Sequence, residues 1–177
     1  MEKWFMMAAA GSVRALGLDF GAKTVGVSAS DALGVTAQGL EIIRRKSENK
    51  LRQTLARIDE LARERRVEVI VLGLPRTMGG RVSERTYRTL IFGEMVRKRT
   101  DLPVVYWDER LTTVAADRTM QATEVAEQDR KTYVDEIAAM LILQGYLDCV
   151  HSSGNVPETD AEALIAEYET EHPGTVA

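Results

Sequence analysis

At 177 residues and 45% hydrophobic content, the chain is long enough to bury one good core and is read as a single main domain. One cysteine, Cys149, excludes an internal disulfide, and with only two histidines it argues against a zinc site, so any metal must be held by oxygen ligands, which favours Mg2+ or Mn2+. The net charge of −4 is unevenly spread. Six of the 27 acidic residues and none of the 23 basic ones fall in 151–177, so the first 150 residues carry a net +2.

Residues 1–12 are read as an N-terminal extension. Trp4 to Ala10 has the look of a short signal-peptide core, but Glu2 cancels Lys3 and the positive leader is missing. Residues 13–20 are apolar apart from Arg14 and Asp19, as in a strand covered on both faces. Residues 23–30 alternate, with Val25, Val27 and Ala29 on one face, and a turn at Asp31 to Gly34 leads to a third strand, Val35 to Ile43. Ser47 is placed to cap a helix with Leu51, Leu55, Ile58 and Leu61 at helical spacing.

A buried strand, Val67 to Leu72, ends at Gly73-Leu74-Pro75. The helix Ser83 to Lys98 is expected to turn Tyr87, Leu90, Ile91 and Met95 inward. A fifth strand, Val104 to Trp107, precedes helices near 112–122 and 132–149, with a polar flap expected over 123–131. The body, 13–150, is thus an α/β domain, and 151–177 an acidic solubilising tail, helical at most between Asp160 and Thr170. No apolar run is long enough to cross a membrane, and a cytoplasmic protein is expected.

Right-handed crossovers make the first, fourth and fifth strands parallel neighbours. Asp19, Gly73-Leu74-Pro75 and Asp108-Glu109 then share the carboxyl-end rim, where open α/β sheets bind ligands. Each acid also has a purely structural reading. Asp19 suits a turn with Gly21, Thr112 or Thr113 suits a helix cap, and Asp135 suits a capping arrangement with Thr132. Asp108 and Glu109 are adjacent on a strand, so one of them enters the crevice, and the parity leaves open which.

Four motifs in order bring a resemblance: Leu-Asp-Phe-Gly-x-Lys-x-x-Gly-Val at 18–27, Gly-Leu-Pro at 73–75, Asp-Glu-Arg-Leu-Thr-Thr at 108–113 and Val-Asp-x-x-Ala-Ala at 134–139. From Val13 to Asp148 the chain resembles the RuvX/YqgF family of Holliday junction resolvases and pre-ribosomal RNA nucleases. The resemblance implies a ribonuclease H-like fold, a five-stranded mixed sheet of a three-strand antiparallel meander plus two parallel strands, flanked by helices. It also implies a catalytic carboxylate cluster, which falls on Asp19, Glu109 and Asp135, with Asp108 as the alternative to Glu109.

Thr24 stands where the family usually has Arg, which removes one phosphate-facing charge. Three converging carboxylates repel one another, so divalent ions are their natural occupants, and two ions suit in-line phosphodiester hydrolysis. Lys23, Arg76, Arg81, Arg110, Arg130 and Lys131 are the candidates for holding the substrate backbone. The expected function is a two-metal endonuclease, a monomer or homodimer, trimming the 5′ end of pre-16S rRNA. Resolution of branched DNA and metal-free nucleic-acid binding are the competing readings, and a resolvase requires a two-fold dimer.

Overall fold

The computed structural model describes residues 13–47, 50–111, 130–153 and 158–174, and gives the backbone alone for 111 and 130–136. At its centre is β1 (Ala15–Phe20), a strand with four buried residues in succession. It pairs antiparallel with β2 (Thr24–Ser30), which pairs in turn with β3 (Ala37–Arg44). On its other side β1 runs parallel to β4 (Val69–Leu74), and β4 parallel to β5 (Val104–Asp108), giving the order β3-β2-β1-β4-β5. The expected mixed five-stranded sheet is therefore present.

Strand alternation divides the interior into two layers. Leu16, Leu18, Val25, Val27, Ile70, Leu72 and Tyr106 form one face, covered by α1 (Arg52–Glu64) and α2 (Glu84–Thr100). Ala15, Val69, Val71, Val105 and Trp107 form the other, covered by α3 (Arg130–Ser153) through Ile142, Leu143, Tyr146 and Leu147. Gly17 lets α3 come close, because a Cβ there would stand 2.7 Å from Leu143 Cβ and 3.0 Å from the Ala139 carbonyl oxygen. The buried Ser28 hydroxyl, opposite Gly17 in the ladder, donates to that same carbonyl at 2.7 Å. Along α3, the Ala139 carbonyl lies at Gly17, while Gln144 Oε1 accepts from the N–H of Ala37, which pairs with Ser30, whose hydroxyl accepts from Ala15 N–H. The N-terminal end of α3 therefore lies towards the carboxyl end of β1.

Several local expectations are corrected. Ser47 is not the cap of α1, which starts at Arg52 after Leu51, and Leu51 makes no side-chain cap bond. The helix start is fixed instead by the Leu55 N–H to Leu51 carbonyl bond and by packing of both leucines against the core. The fourth strand begins two residues late because Arg66, at φ 54°, reverses the chain and Val67 N–H closes on the Ala62 carbonyl. It then runs through Gly73 and Leu74, which pair with Trp107 and Asp108. The third strand is delayed to Ala37 because the Asp31 carboxylate accepts from the Val35 and Thr36 N–H groups.

On α2 the buried set is Thr86, Thr89, Leu90, Phe92, Gly93 and Val96. Of the expected stripe only Leu90 is fully buried, and Met95 is exposed. The reason is Gly93, where a Cβ would stand 2.4 Å from the Tyr106 hydroxyl. The helix is turned to seat that ring, and Phe92 stacks on Phe20 at 4.1 Å between centroids.

The backbone of α3 is already helical at Arg130, so Thr132 lies inside the helix and not at a cap in front of it. The helix expected at 112–122, residues 123–129 of the flap and the 1–12 extension lie outside the described residues. Beyond α3, the helix α4 (Ala161–Glu171) is capped by the Asp160 carboxylate, which accepts from Ala163 N–H at 2.9 Å. It is not the free appendage expected. Tyr168 is 5% exposed, stacks on Tyr87 of α2 at 4.4 Å, and lies beside Glu169, which accepts from the Tyr87 hydroxyl at 3.0 Å. Ala161, Leu164 and Ile165 pack on the α1–α2 layer of the core. Among the described residues no helix is long and apolar enough to cross a membrane.

Candidate active site

The carboxyl ends of β1, β4 and β5 form one rim of the sheet. Asp19 has the same parity as Ala15 and Gly17 and so belongs to the α3 face. Its cross-strand partner is Gly26, which puts no side chain beside it. The register of β1 with β4 ends with Leu18 opposite Leu72, and Asp19 and Gly73 are the next residues along the two strands. Gly73 in turn pairs with Trp107 and lies under α3, since a Cβ on it would stand 2.4 Å from Ile142 Cδ1. The same Cβ would stand 3.1 Å from Glu109 Oε1. The missing side chain of Gly73 therefore makes the space in which the Glu109 carboxylate sits.

That contact places the Glu109 carboxylate on the α3 face. Glu109, first residue of a 3-10 turn (Glu109–Leu111), turns to the α3 face with Asp19. Asp108 ends β5 with the opposite parity, level with Leu74, whose side chain is in the α1–α2 layer. It is engaged by Arg110, whose backbone N–H donates at 3.0 Å and whose guanidinium donates to both carboxylate oxygens, the shortest at 2.6 Å. The two environments drive the acids apart. Hydrogen bonds from Arg110 hold Asp108 below the usual carboxylate range, whereas burial pushes Glu109 above it, only partly offset by the positive charge of Arg85.

Of the expected cations, Lys23 is exposed in the β1–β2 turn, and Arg76 and Arg81 are exposed on the loop after β4. Arg110 is committed to Asp108 in this structure. Arg130 and Lys131 belong to the first turn of α3, and their side chains, like that of Asp135, lie outside the described set. Asp135 is four residues before Ala139, one helical turn nearer the rim. Among the described residues, no three Asp, Glu, His or Cys side chains gather closely enough to hold a metal.

Two residues at the rim went unnoticed in the sequence. Arg85, in the first turn of α2, acts on Glu109, and its only signal was a basic residue just after the Ser83 cap. Arg45 is 8% exposed, stands 4.7 Å over the Phe20 ring and donates from its guanidinium to the Gly21 carbonyl, while its backbone N–H donates to the Lys23 carbonyl at 2.8 Å. It thereby clasps the hairpin that carries Asp19. In the sequence it was hidden in the basic run Arg44-Arg45-Lys46.

Residues 13–149 match the model of the RuvX Holliday junction resolvase family. The chain belongs to the RuvX family. It is 60% identical over 141 residues to an Agathobacter rectalis protein named "Putative pre-16S rRNA nuclease", covering 80% of this chain and 99% of that one. A Listeria monocytogenes protein of the same name is 47% identical over 136 residues, covering 77% and 98%. Among solved structures, the chain superposes on Thermus thermophilus RuvC in complex with a Holliday junction substrate with a TM-score of 0.54 at 15% identity, covering 82% of this chain and 99% of that one. This likeness establishes the ribonuclease H-like fold. The RuvX match ends at 149, so α4 lies outside it.

Proposed function

We propose that this protein is a metal-dependent endonuclease that hydrolyses phosphodiester bonds in structured nucleic acid, with the 5′ end of pre-16S rRNA as its substrate. The observation that carries the reading is that Asp19, by strand parity, and the Glu109 carboxylate, beside Gly73, share the α3 face of the rim, with Gly73 giving room to the second of them. The names of the curated relatives support the choice of substrate. The donor set suits a hard cation: both side chains offer carboxylate oxygens, and Glu109 is charged at a cost in its buried position that a bound cation would offset. Asp135, on the turn of α3 before Ala139, completes the set in this reading.

Asp19, Glu109 and Asp135 would hold one or two Mg2+ or Mn2+ ions. When bound, such ions supply a water of lowered pKa and charge stabilisation for the leaving oxygen. The chain's own cations do the remaining work. Lys23, Arg76 and Arg81 hold phosphates around the scissile bond, and Arg130 and Lys131 approach from α3. Arg110 orients Asp108 away from the site. Arg85 balances the charge of Glu109. Arg45 keeps the Asp19 hairpin in one conformation. The protein works in the cytoplasm, where precursor rRNA is made.

The test is cleavage of precursor 16S rRNA and of a four-way DNA junction in parallel, with Mg2+, with Mn2+ and with chelator, by the parent and by Asp19→Asn. Metal-dependent trimming of the rRNA, reduced at least about a hundredfold by Asp19→Asn, is expected. Paired symmetric nicks in the junction by a two-fold dimer would assign the protein to junction resolution instead. Tight binding with no cleavage of either substrate would make it a binding factor.

A further inference from the structure

The loop between β4 and α2 is anchored firmly at both ends and open at its tip. Leu74 and Val82 are buried on either side of it, and the Thr86 hydroxyl donates to the Pro75 carbonyl at 2.6 Å, tying the base of the loop to the first turn of α2. Within it, the Thr77 hydroxyl donates to the Arg81 carbonyl at 2.8 Å and Gly80 N–H to the Thr77 carbonyl at 3.3 Å. Gly80 has φ +76°, and no heavy atom would lie within 4 Å of a Cβ built at Gly79 or Gly80. The result is a short, internally bonded finger with open space around its tip.

At that tip Met78 is 95% exposed, the most exposed large hydrophobic side chain among the described residues. A turn needs only glycine and polar groups, and Thr77, Gly79 and Gly80 already supply them, so Met78 has no structural task here. Arg76 and Arg81 flank it, both exposed. The finger rises from the rim itself: Leu74, just before its base, pairs with Asp108, and the positive charge of Arg76 reaches that carboxylate. An exposed apolar tip on a loop that also carries two exposed arginines suits a ligand that presents flat apolar faces between phosphates, which describes nucleobases better than a protein surface. An unbranched thioether conforms to an irregular edge and serves as a wedge at a base step.

We propose that Met78 is a wedge that packs against an opened base at the boundary between duplex and single strand, next to the cleaved phosphate, while Arg76 and Arg81 hold the phosphates on either side. This inference rests on the nucleic-acid reading of the rim and adds the feature recognised: a helix end or branch, found in precursor rRNA stems and in DNA junctions alike. The finger makes that boundary a preferred site without reading its sequence.

The experiment compares the parent, Met78→Ala and Met78→Leu on RNA stems and on DNA junctions carrying 2-aminopurine at the last base pair before the boundary, with single strands of the same sequence as references. Binding is followed in chelator, where no cleavage occurs, and cleavage afterwards with Mg2+ or Mn2+. The parent and Met78→Leu should raise the 2-aminopurine fluorescence, and Met78→Ala should not. The ratio of kcat/KM on boundary to single-stranded substrate should fall about tenfold in Met78→Ala, carried by KM. Because the side chain is exposed, folding should be unaffected, and an unchanged melt of each variant confirms it. Equal fluorescence changes in the parent and Met78→Ala, or an unchanged ratio, would overturn the wedge. A parent that cleaves nothing would sink the nuclease reading alone, because the fluorescence arm still decides the wedge. A response confined to RNA or to DNA identifies which nucleic acid supplies the boundary.

Discussion

Gly73→Ala tests the site through steric contact and leaves its charges untouched. Gly73 is in an extended strand without a left-handed φ, so alanine fits the backbone and would by itself favour the strand by about 0.5–1 kcal/mol. The new methyl, however, would stand 2.4 Å from Ile142 Cδ1 and 3.2 Å from Ile142 Cγ1, well inside the 3.5–4.0 Å of an optimal carbon contact. Overpacking of this kind costs about 1–3 kcal/mol. The net loss should be about 1–2 kcal/mol, because Cδ1 is the free end of a side chain that can rotate. The methyl would also stand 3.1 Å from Glu109 Oε1, which must give way by a few tenths of an ångström. If misplacement by 1 Å costs about a hundredfold in rate, this shift should cost about tenfold.

The two effects separate in a double variant. Ile142→Val deletes the very methyl that clashes, at a cost of about 0.5–1.5 kcal/mol when made alone. Gly73→Ala/Ile142→Val should therefore be no less stable than Ile142→Val, yet remain about tenfold slower in cleavage, because the contact with Glu109 persists. Urea melts without metal give the stabilities, and kcat/KM on the rRNA substrate gives the rates. A double variant that cleaves as fast as Ile142→Val would show that the Glu109 position beside Gly73 is immaterial to the reaction.

Glu109→Gln should lower cleavage at least about a hundredfold and Asp108→Asn much less, since only Glu109 shares the α3 face with Asp19; the reverse order in kcat would exchange their roles. The raised pKa of Glu109 has a sign that melts can check: the folded state resists ionisation, so its stability is fully present below the unfolded pKa and is lost as pH rises through the folded one. Metal-free Glu109→Gln should accordingly match the parent near pH 4 and exceed it in stability towards pH 7, and an advantage that does not grow with pH would refute the burial argument. Asp135→Asn should leave the metal-free melt unchanged or slightly raised while removing most of the stabilisation by Mg2+ or Mn2+ together with cleavage, and an undiminished metal shift would remove Asp135 from the ion site. Tyr168→Ala should cost about 3 kcal/mol by opening the contact of α4 with Tyr87, and a melt within 0.5 kcal/mol of the parent would mean that α4 adds no stability.

The strand order and the two-layer packing were legible because the chain alternates cleanly where one face is covered and runs apolar where both are. Val25, Val27 and Ala29 mark one layer of β2, and the stretch from Ala15 to Leu18 marks the doubly covered centre. Illegible were the places where a contact distant in sequence overrides local pattern. The inward face of α2 is set by Tyr106 against Gly93, thirteen residues away, so its small residues are buried and Met95 is left outside. The docking of α4 was masked by its acids: Glu162, Glu167 and Glu171 read as a solvated tail, while Ala161, Leu164 and Ile165 pack on the core and Tyr168 stacks on Tyr87.

For the site, a residue's rank along the chain gave each acid its place at the rim but not its side of the sheet. Adjacent acids at a strand end are equivalent in sequence, and one residue of register exchanges their faces. The missing information was a reference point of known face at the same level, and Gly73 provides it, as the position where α3 and Glu109 both come too close for any side chain. Once Gly73 is assigned to the α3 layer by Val69 and Val71 before it, the ladder carries the same face to Asp19 through β1 and to Trp107 through β5. Asp108 is then directed to the opposite side, where Arg110 neutralises it, and Glu109 is left as the acid whose charge burial makes costly. The glycine in Gly-Leu-Pro thus serves the site by what it lacks. Its side-chain-free surface lets a helix and a carboxylate converge at one point of the rim, a requirement that neither acid motif expresses in its own residues.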